Sequence, residues 1–117
     1  MIAKEKKSVT TFKISSALNQ KLDEKIIADG YGMRGKSKWL REAIEQLFTY
    51  PNYPELVSLT DDCEIADHAI VIRAPAKLFF DIEQAIIPIR KIQPDIEGVK
   101  SKIVRTAILQ RLIRWNY

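Results

Sequence analysis

Two short motifs in the chain combine lysine with serine, Lys36-Ser37-Lys38 and Lys100-Ser101-Lys102. Ammonium and hydroxyl groups are donors that suit anionic oxygens. Serine is also favoured at a helix N-cap, where backbone amides and the helix dipole attract phosphate. The motifs therefore predict two helix starts that contact phosphate, and the alternative is that the serines are only caps beside solvated lysines. The predicted phosphate-contacting residues are Gly35, Lys36, Ser37, Lys38, Lys100, Ser101 and Lys102.

Residues 9–15 and 69–74 each alternate with the period of a β-strand, so that every second residue faces the same side. One face of each is predicted to be buried: Thr10, Phe12 and Ile14 in the first strand, and Ile70, Ile72 and Ala74 in the second. The other face brings a cation from each strand, Lys13 and Arg73, to solvent. Pro75 should end the second strand, because proline cannot donate to a ladder. The full predicted outward set is Val9, Thr11, Lys13, Ala69, Val71 and Arg73.

These features belong to an internal repeat. Residues 36–44 and 100–108 are identical at six of nine positions, including both Lys-Ser-Lys motifs. Upstream, the strands and the helices that follow them align with a shift of 60, as in Lys13 with Arg73 and Leu22 with Ile82. Ordered matches in two blocks indicate duplication.

Each copy is predicted to form a strand followed by two helices. Apolar residues recur every four positions in the first helix of each copy, and Gly30 is placed to end the first of them. Its counterpart in the second copy is predicted to kink or stop near Pro88. The apolar stripes are Leu18, Leu22 and Ile26; Leu78, Ile82 and Ile86; Trp39, Leu40, Ala43, Ile44, Leu47 and Phe48; and Ile103, Val104, Ala107, Ile108, Leu112 and Trp115.

A single strand with two short helices cannot satisfy its backbone or bury enough surface. The predicted fold is therefore mainly α with one two-stranded antiparallel β-ribbon, a duplicated β-α-α-linker-β-α-α arrangement that forms an intramolecular pseudo-dimer. Its predicted segments are a basic N-terminal arm, 1–7; a first copy, 8–50; an irregular acidic linker, 51–67; and a second copy, 68–117.

Charge follows the same division. Residues 1–50 hold ten Lys/Arg and six Asp/Glu, a net of +4, and residues 68–117 hold nine and four, a net of +5. Residues 51–67 hold no base and five acids, a net of −5. Two basic modules indicate a polyanionic partner, although solvated surface charge alone gives the same balance.

The inventory of reactive residues argues against an enzyme. One cysteine, Cys63, and one histidine, His68, provide no spaced ligand set and little general-base chemistry. They are interpreted as a linker thiol and an imidazole at the edge of a strand, and no cofactor is expected. No apolar run suits a signal peptide or a membrane span, so the expected location is the cytoplasm.

The ordered motifs resemble those of the ribbon-helix-helix DNA-binding superfamily. Residues 11–23 followed by 35–44 carry the resemblance, and residues 70–82 followed by 100–108 carry it again. Tandem versions in one chain are similar to the TraY-type accessory proteins of conjugative plasmids, and Tyr50-Pro51 is also similar to that group. The largely aliphatic outward face departs from the superfamily's usual polar pattern.

The resemblance implies that the ribbon enters the major groove of double-stranded DNA. The six outward residues would face the bases, and the helix starts would clamp phosphates on either side. For the aliphatic Val71, the alternative to base contact is that it packs against a neighbour or is an ordinary surface residue of the strand. Lys4, Lys6 and Lys7 in the arm either add phosphate contacts or are a charged end. Candidate partners besides DNA are a second copy on an adjacent site, and a relaxase or the transcription machinery; no membrane is expected.

Two roles follow from DNA binding, regulation of plasmid or mobile-element genes and assistance to a relaxase at a transfer origin. An antitoxin is disfavoured because no toxin-binding tail follows the second copy. A protein-interaction scaffold is disfavoured because it leaves Lys13, Arg73 and the Lys-Ser-Lys motifs without a purpose. The sequence does not distinguish the two roles, nor does it give the target site, the sign of regulation or the assembly on DNA.

Overall fold

A computed structural model describes residues 7–60 and 65–114, with the backbone alone at Arg114. Its elements are β1 (Lys7–Ile14), α1 (Ser16–Ala28), a 3₁₀ turn (Met33–Gly35), α2 (Lys36–Phe48), α3 (Tyr53–Leu59), β2 (His68–Pro75), α4 (Ala76–Ile92) and α5 (Val99–Arg114). The predictions for Lys4, Lys6, Cys63 and Trp115 concern residues outside this description. Within the described ranges, no helix is long and apolar enough to cross a membrane.

The predicted fold class is wrong. The described chain has one two-stranded sheet and five helices in the order β-α-α-α-β-α-α, not a β-α-α unit used twice. The additional helix is α3, which lies in the segment predicted to be an irregular linker. Pro54 occupies its first turn, where a proline costs no helical hydrogen bond, and Glu55 in the same turn suits the helix dipole.

Helix α3 contributes to the core. Val57 is fully buried and Pro54 is buried, while the helix packs on α4 and α5. Two side-chain hydrogen bonds flank this packing, from Ser58 Oγ to Gln93 Oε1 at 3.1 Å and between the Thr60 and Thr106 hydroxyls at 2.6 Å. The segment therefore covers the helices of the second half.

The two strands pair antiparallel, which we call the ribbon, with Thr11 opposite Val71 at its centre. Its inner face is buried as the alternation predicts, except that Thr10 is only half-buried, and β2 ends at Pro75. The buried residues of that face are Phe12, Ile14, Ile70, Ile72 and Ala74. Beneath it, α2 packs on α5 through the predicted stripes, in which Trp39 and Ile103 are fully buried.

The ends of the first helices agree only in part with the sequence predictions. The backbone leaves α1 through Gly30, whose φ of 80° is left-handed and suits glycine. Helix α4 does not stop at Pro88 but continues to Ile92. The loop before α2 needs Gly35, since a Cβ there would lie 2.8 Å from Tyr31 Cβ.

A buried cation joins α5 to α2. Arg111 is 4% exposed, and its Nη1 donates to the Trp39 carbonyl at 2.9 Å. Its Nη2 donates to the Tyr31 hydroxyl at 2.9 Å, and that hydroxyl donates to the Glu42 carboxylate at 3.0 Å. The guanidinium also lies 4.6 Å from the centroid of the Trp39 ring. Hydrogen bonds, an indirect countercharge and a cation–π contact thus compensate for its burial.

If α3 is part of the core, Val57→Ala should lower the free energy of unfolding by about 2 kcal/mol, from two lost methyl groups and the cavity they leave. Leu59→Ala is the matched control, because Leu59 is 81% exposed on the same helix. Urea unfolding followed by circular dichroism measures both. Equal effects of the two substitutions would contradict the packing of α3.

Replacing Arg111 tests the buried cation. Arg111→Ala removes two hydrogen bonds and the packing on Trp39, so the free energy of unfolding should fall by about 3 kcal/mol. Arg34→Ala, at an exposed arginine, should change it by no more than about 0.5 kcal/mol. A loss for Arg111→Ala as small as that of the control would show that the buried contacts contribute little.

Candidate functional site

The outer face of the ribbon is the surface opposite the core. All six residues predicted to face outward are exposed, and the structure brings them together in three cross-strand pairs. The pairs are Val9 with Arg73, Thr11 with Val71, and Lys13 with Ala69. The two predicted cations therefore lie at opposite ends of the face, with aliphatic side chains and one hydroxyl between them.

Lys7 extends this face in a way that the sequence prediction missed. It was assigned to the basic arm, but it is the first residue of β1 and lies opposite Pro75. The alternation of the strand could have predicted this position for Lys7, since residues 7, 9, 11 and 13 lie on the same side of a strand. The outer face thus presents Lys7, Lys13 and Arg73, and no acidic residue of β1 or β2 lies beside them.

The predicted N-caps are wrong. Helix α2 begins at Lys36 after Gly35, and α5 begins at Val99, so both serines lie inside the first turn. Their hydroxyls instead accept from the ribbon: Arg73 N–H donates to Ser37 Oγ at 3.0 Å, and Lys13 N–H donates to Ser101 Oγ at 3.4 Å. These amides belong to the two residues that carry the outer-face cations, so each helix start lies directly against one of them.

The first lysine of each motif connects its helix to the preceding one. Lys36 Nζ lies 2.8 Å from Asp23 Oδ1 and 2.9 Å from Asn19 Oδ1 of α1. Lys100 forms an ion pair with Glu83 of α4. Both ammonium groups thus have a carboxylate partner, which reduces the positive charge they offer to another anion.

The second lysines lie in different environments although the motifs are identical. Lys38 is exposed, with its Nζ 6.0 Å from the centroid of the Tyr31 ring. Lys102 is 6% exposed and is therefore not part of the accessible surface. Gly35 and Ser37 are half-buried at the start of α2, as Ser101 is in the first turn of α5. The structure thus leaves one unpaired lysine of the motif exposed at the start of α2, and none at the start of α5.

An open groove of about 660 Å³ runs between β2 and the start of α2. Arg34, from the 3₁₀ turn, and Arg41, one turn after Lys38, line it together with Lys7 and Arg73. The sequence prediction did not include Arg34 or Arg41. The spacing of Arg41 from Lys38 along one helix face was the available signal.

The edge of this surface contains paired charges. Arg41 Nε lies 3.6 Å from Glu45 Oε1, and Lys77 Nζ lies 2.8 Å from Asp81 Oδ2. Hydrogen bonding to Asp81, together with its negative charge, raises the pKa of Lys77. Glu45 and Asp81 are thereby engaged by cations, and no acidic side chain is among the described residues that line the groove.

Comparison of the chain with protein-family models, with curated proteins and with solved structures found no match. Among the described residues, no group of three histidine, cysteine or acidic side chains is placed to hold a metal ion.

The serine–ribbon contacts can be tested by amide hydrogen exchange. Ser37→Ala should accelerate exchange at the Arg73 amide roughly 5- to 10-fold, because that N–H loses an acceptor worth about 1 kcal/mol. The Lys13 amide, which uses Ser101, should not change in this variant. Ser101→Ala should give the reverse pattern. Acceleration at both amides in either variant would indicate general loosening of the ribbon instead of the two separate bonds.

Proposed function

We propose that this protein binds double-stranded DNA in a sequence-specific way, with the ribbon in the major groove, and that it regulates transcription. The observation that carries the proposal is the outer face, where Lys13 and Arg73 lie at opposite ends and each is backed by a helix start. A two-stranded ribbon fits the major groove, where every base pair presents a distinct pattern of donors and acceptors.

The dimensions of the outer face set the length of the site. Lys13 and Arg73 are separated by four positions along the ribbon, since Arg73 lies opposite Val9. At about 3.3 Å per residue the separation is about 13 Å, which corresponds to roughly four base pairs. The core of the recognised sequence is therefore expected to be four to six base pairs, on the order of the ribbon's own length.

The side chains of the outer face offer different kinds of base contact. The Arg73 guanidinium can donate two hydrogen bonds to O6 and N7 of guanine, worth about 1–3 kcal/mol of discrimination. Lys13 can reach the same acceptors as a point charge, with less geometric selectivity. Thr11 can donate or accept at the centre. The aliphatic side chains of Val9, Ala69 and Val71 can contact thymine methyl groups.

The helix starts supply the contacts to the DNA backbone. The first amides of a helix lack intrahelical acceptors, and the helix dipole favours an anion there. At the start of α2 the accessible group is the exposed ammonium of Lys38, since the Lys36 amide already donates to the Met33 carbonyl. Such contacts fix the register of a protein on DNA, while the ribbon reads the bases.

The motifs that resemble those of ribbon-helix-helix proteins agree with this proposal, although the arrangement of helices differs from the predicted repeat. The resemblance to the TraY-type group suggests a second candidate role, in which the protein binds a conjugative transfer origin. The position of the selected sequence in its genome would separate the roles: a promoter supports regulation, and a transfer origin supports assistance to a relaxase.

Selection of sites from a random duplex pool tests the proposal. The unaltered protein should enrich one motif of four to six base pairs with a guanine at one end, and its affinity should fall steeply with salt. Lys13→Ala/Arg73→Ala should abolish the enrichment. Arg73→Ala alone should relax the guanine position and reduce affinity for the motif roughly 5- to 100-fold.

Lys21→Ala/Lys91→Ala is the control for charge, because both residues are exposed on α1 and α4 and neither belongs to the ribbon or to the start of α2 or α5. It should leave the motif unchanged. Failure of the unaltered protein to enrich a motif, or enrichment by the ribbon double variant as strong as that of the parent, would overturn base reading by the ribbon. A protein scaffold would then become the better explanation.

A further inference from the structure

The two ends of the ribbon differ in the charge that surrounds them. We call the groove side the α2 flank, defined by Lys7, Arg34, Lys38 and Arg41 around Arg73. The α5 flank is the corresponding region around Lys13, formed by the loop before α5 and its first turns. Similar motifs begin α2 and α5, so any difference between the flanks comes from the residues around them.

The α2 flank presents accessible cations. Lys7, Arg34 and Lys38 are exposed, as is Arg73. None of these four has a salt bridge with any part of the chain that the structure describes. They come from β1, the 3₁₀ turn, α2 and β2, and they surround one continuous groove.

The α5 flank presents a different balance. The loop before α5 contains exposed Asp95 and Glu97, where the loop before α2 contains Arg34. Lys100 is paired with Glu83, and Lys102 is buried. Arg105, the counterpart of Arg41, directs its Nη1 to the Lys13 carbonyl at 3.5 Å.

The electrostatic attraction for a DNA backbone therefore differs between the two flanks. Phosphate is attracted by the unpaired cations of the α2 flank. At the start of α5, by contrast, Lys100 is paired, Lys102 is buried, and the loop that leads into the helix adds two exposed carboxylates. The screening length at physiological salt is about 8 Å, so each phosphate responds mainly to the flank it touches. Base-edge contacts by Lys13 do not require a phosphate clamp beside them.

We propose that the protein holds the DNA backbone on the α2 flank alone, so that it binds its site in one orientation with a one-sided set of phosphate contacts. This inference rests on the proposed function. Arg34 and Lys38 are the residues that anchor the backbone, and Lys100 is a structural tie to α4.

Ethylation interference on a duplex carrying the selected motif tests the orientation directly. Ethylated phosphates should block binding on one side of the motif, the side that Arg73 occupies, and have little effect on the other. The end of the motif at which Arg73→Ala relaxes the guanine preference identifies that side independently.

Single substitutions test which cationic side chains contact the backbone. Arg34→Gln and Lys38→Gln should each lower affinity roughly 5- to 10-fold at 0.1 M salt and reduce the slope of log K against log salt by about 0.9. Lys100→Gln is the matched control, an exposed lysine at the start of the other helix, and it should change neither quantity. Thermal unfolding of each variant shows whether its fold is retained.

The outcomes separate the two proposals. Binding with equal interference on both sides, or a loss for Lys100→Gln as large as that for Lys38→Gln in a folded variant, would overturn the one-sided grip and leave DNA binding intact. Absence of motif-specific binding by the unaltered protein would instead overturn the proposed function, and the one-sided grip with it. One-sided interference that weakens in Arg34→Gln and Lys38→Gln supports the inference.

Discussion

Antiparallel pairing of β1 with β2 is the constraint on which the rest of the structure depends. Neither strand can satisfy its backbone alone, and the pairing sets which side chains face the core. A shift of one residue would turn Phe12 and Ile14 to solvent and bring Lys13 inside, a cost that fixes the register. The helices complete this arrangement. Helices α2 and α5 bury the inner face, and Ser37 and Ser101 accept hydrogen bonds from the Arg73 and Lys13 amides of the ribbon.

The strands and most of their buried and exposed faces could be predicted from the sequence, because periodicity records which side of an element is buried. The helix stripes were predicted less well: Phe48, Ile86 and Leu112 are only half-buried, and α4 buries Ala85 and Ile89 in place of Ile86. Helix α3 could not be read in this way. It is only seven residues long, and its acidic surroundings and Pro54 are also typical of a loop. The helix starts were predicted one or two residues late because serine is a favoured N-cap. In the structure the hydroxyls of Ser37 and Ser101 instead accept from amides of the ribbon. Burial of Lys102 depends on neighbours distant in sequence, which a motif does not record.

The two Lys-Ser-Lys motifs share one role and differ in another. Lys36 and Lys100 both attach a helix to the one before it, through Asp23 and Glu83 respectively. The next lysine of each motif is exposed in one half and buried in the other. Thr106, one turn after Lys102, bonds to Thr60 at the end of α3, so the extra helix lies over the half in which lysine is buried. The environment of each motif, and not its residues alone, therefore decides which of its lysines is exposed.

The ribbon joins segments that are far apart in the chain, and this affects how the protein is made. His68 follows Ile14 by 54 positions (68 − 14). At a synthesis rate of about 5–20 residues per second, β1 therefore waits roughly 3–11 s for its partner strand. During that interval the nascent chain carries an unpaired strand and the uncovered apolar stripes of α1 and α2. Folding of the core thus awaits the synthesis of the second half of the chain.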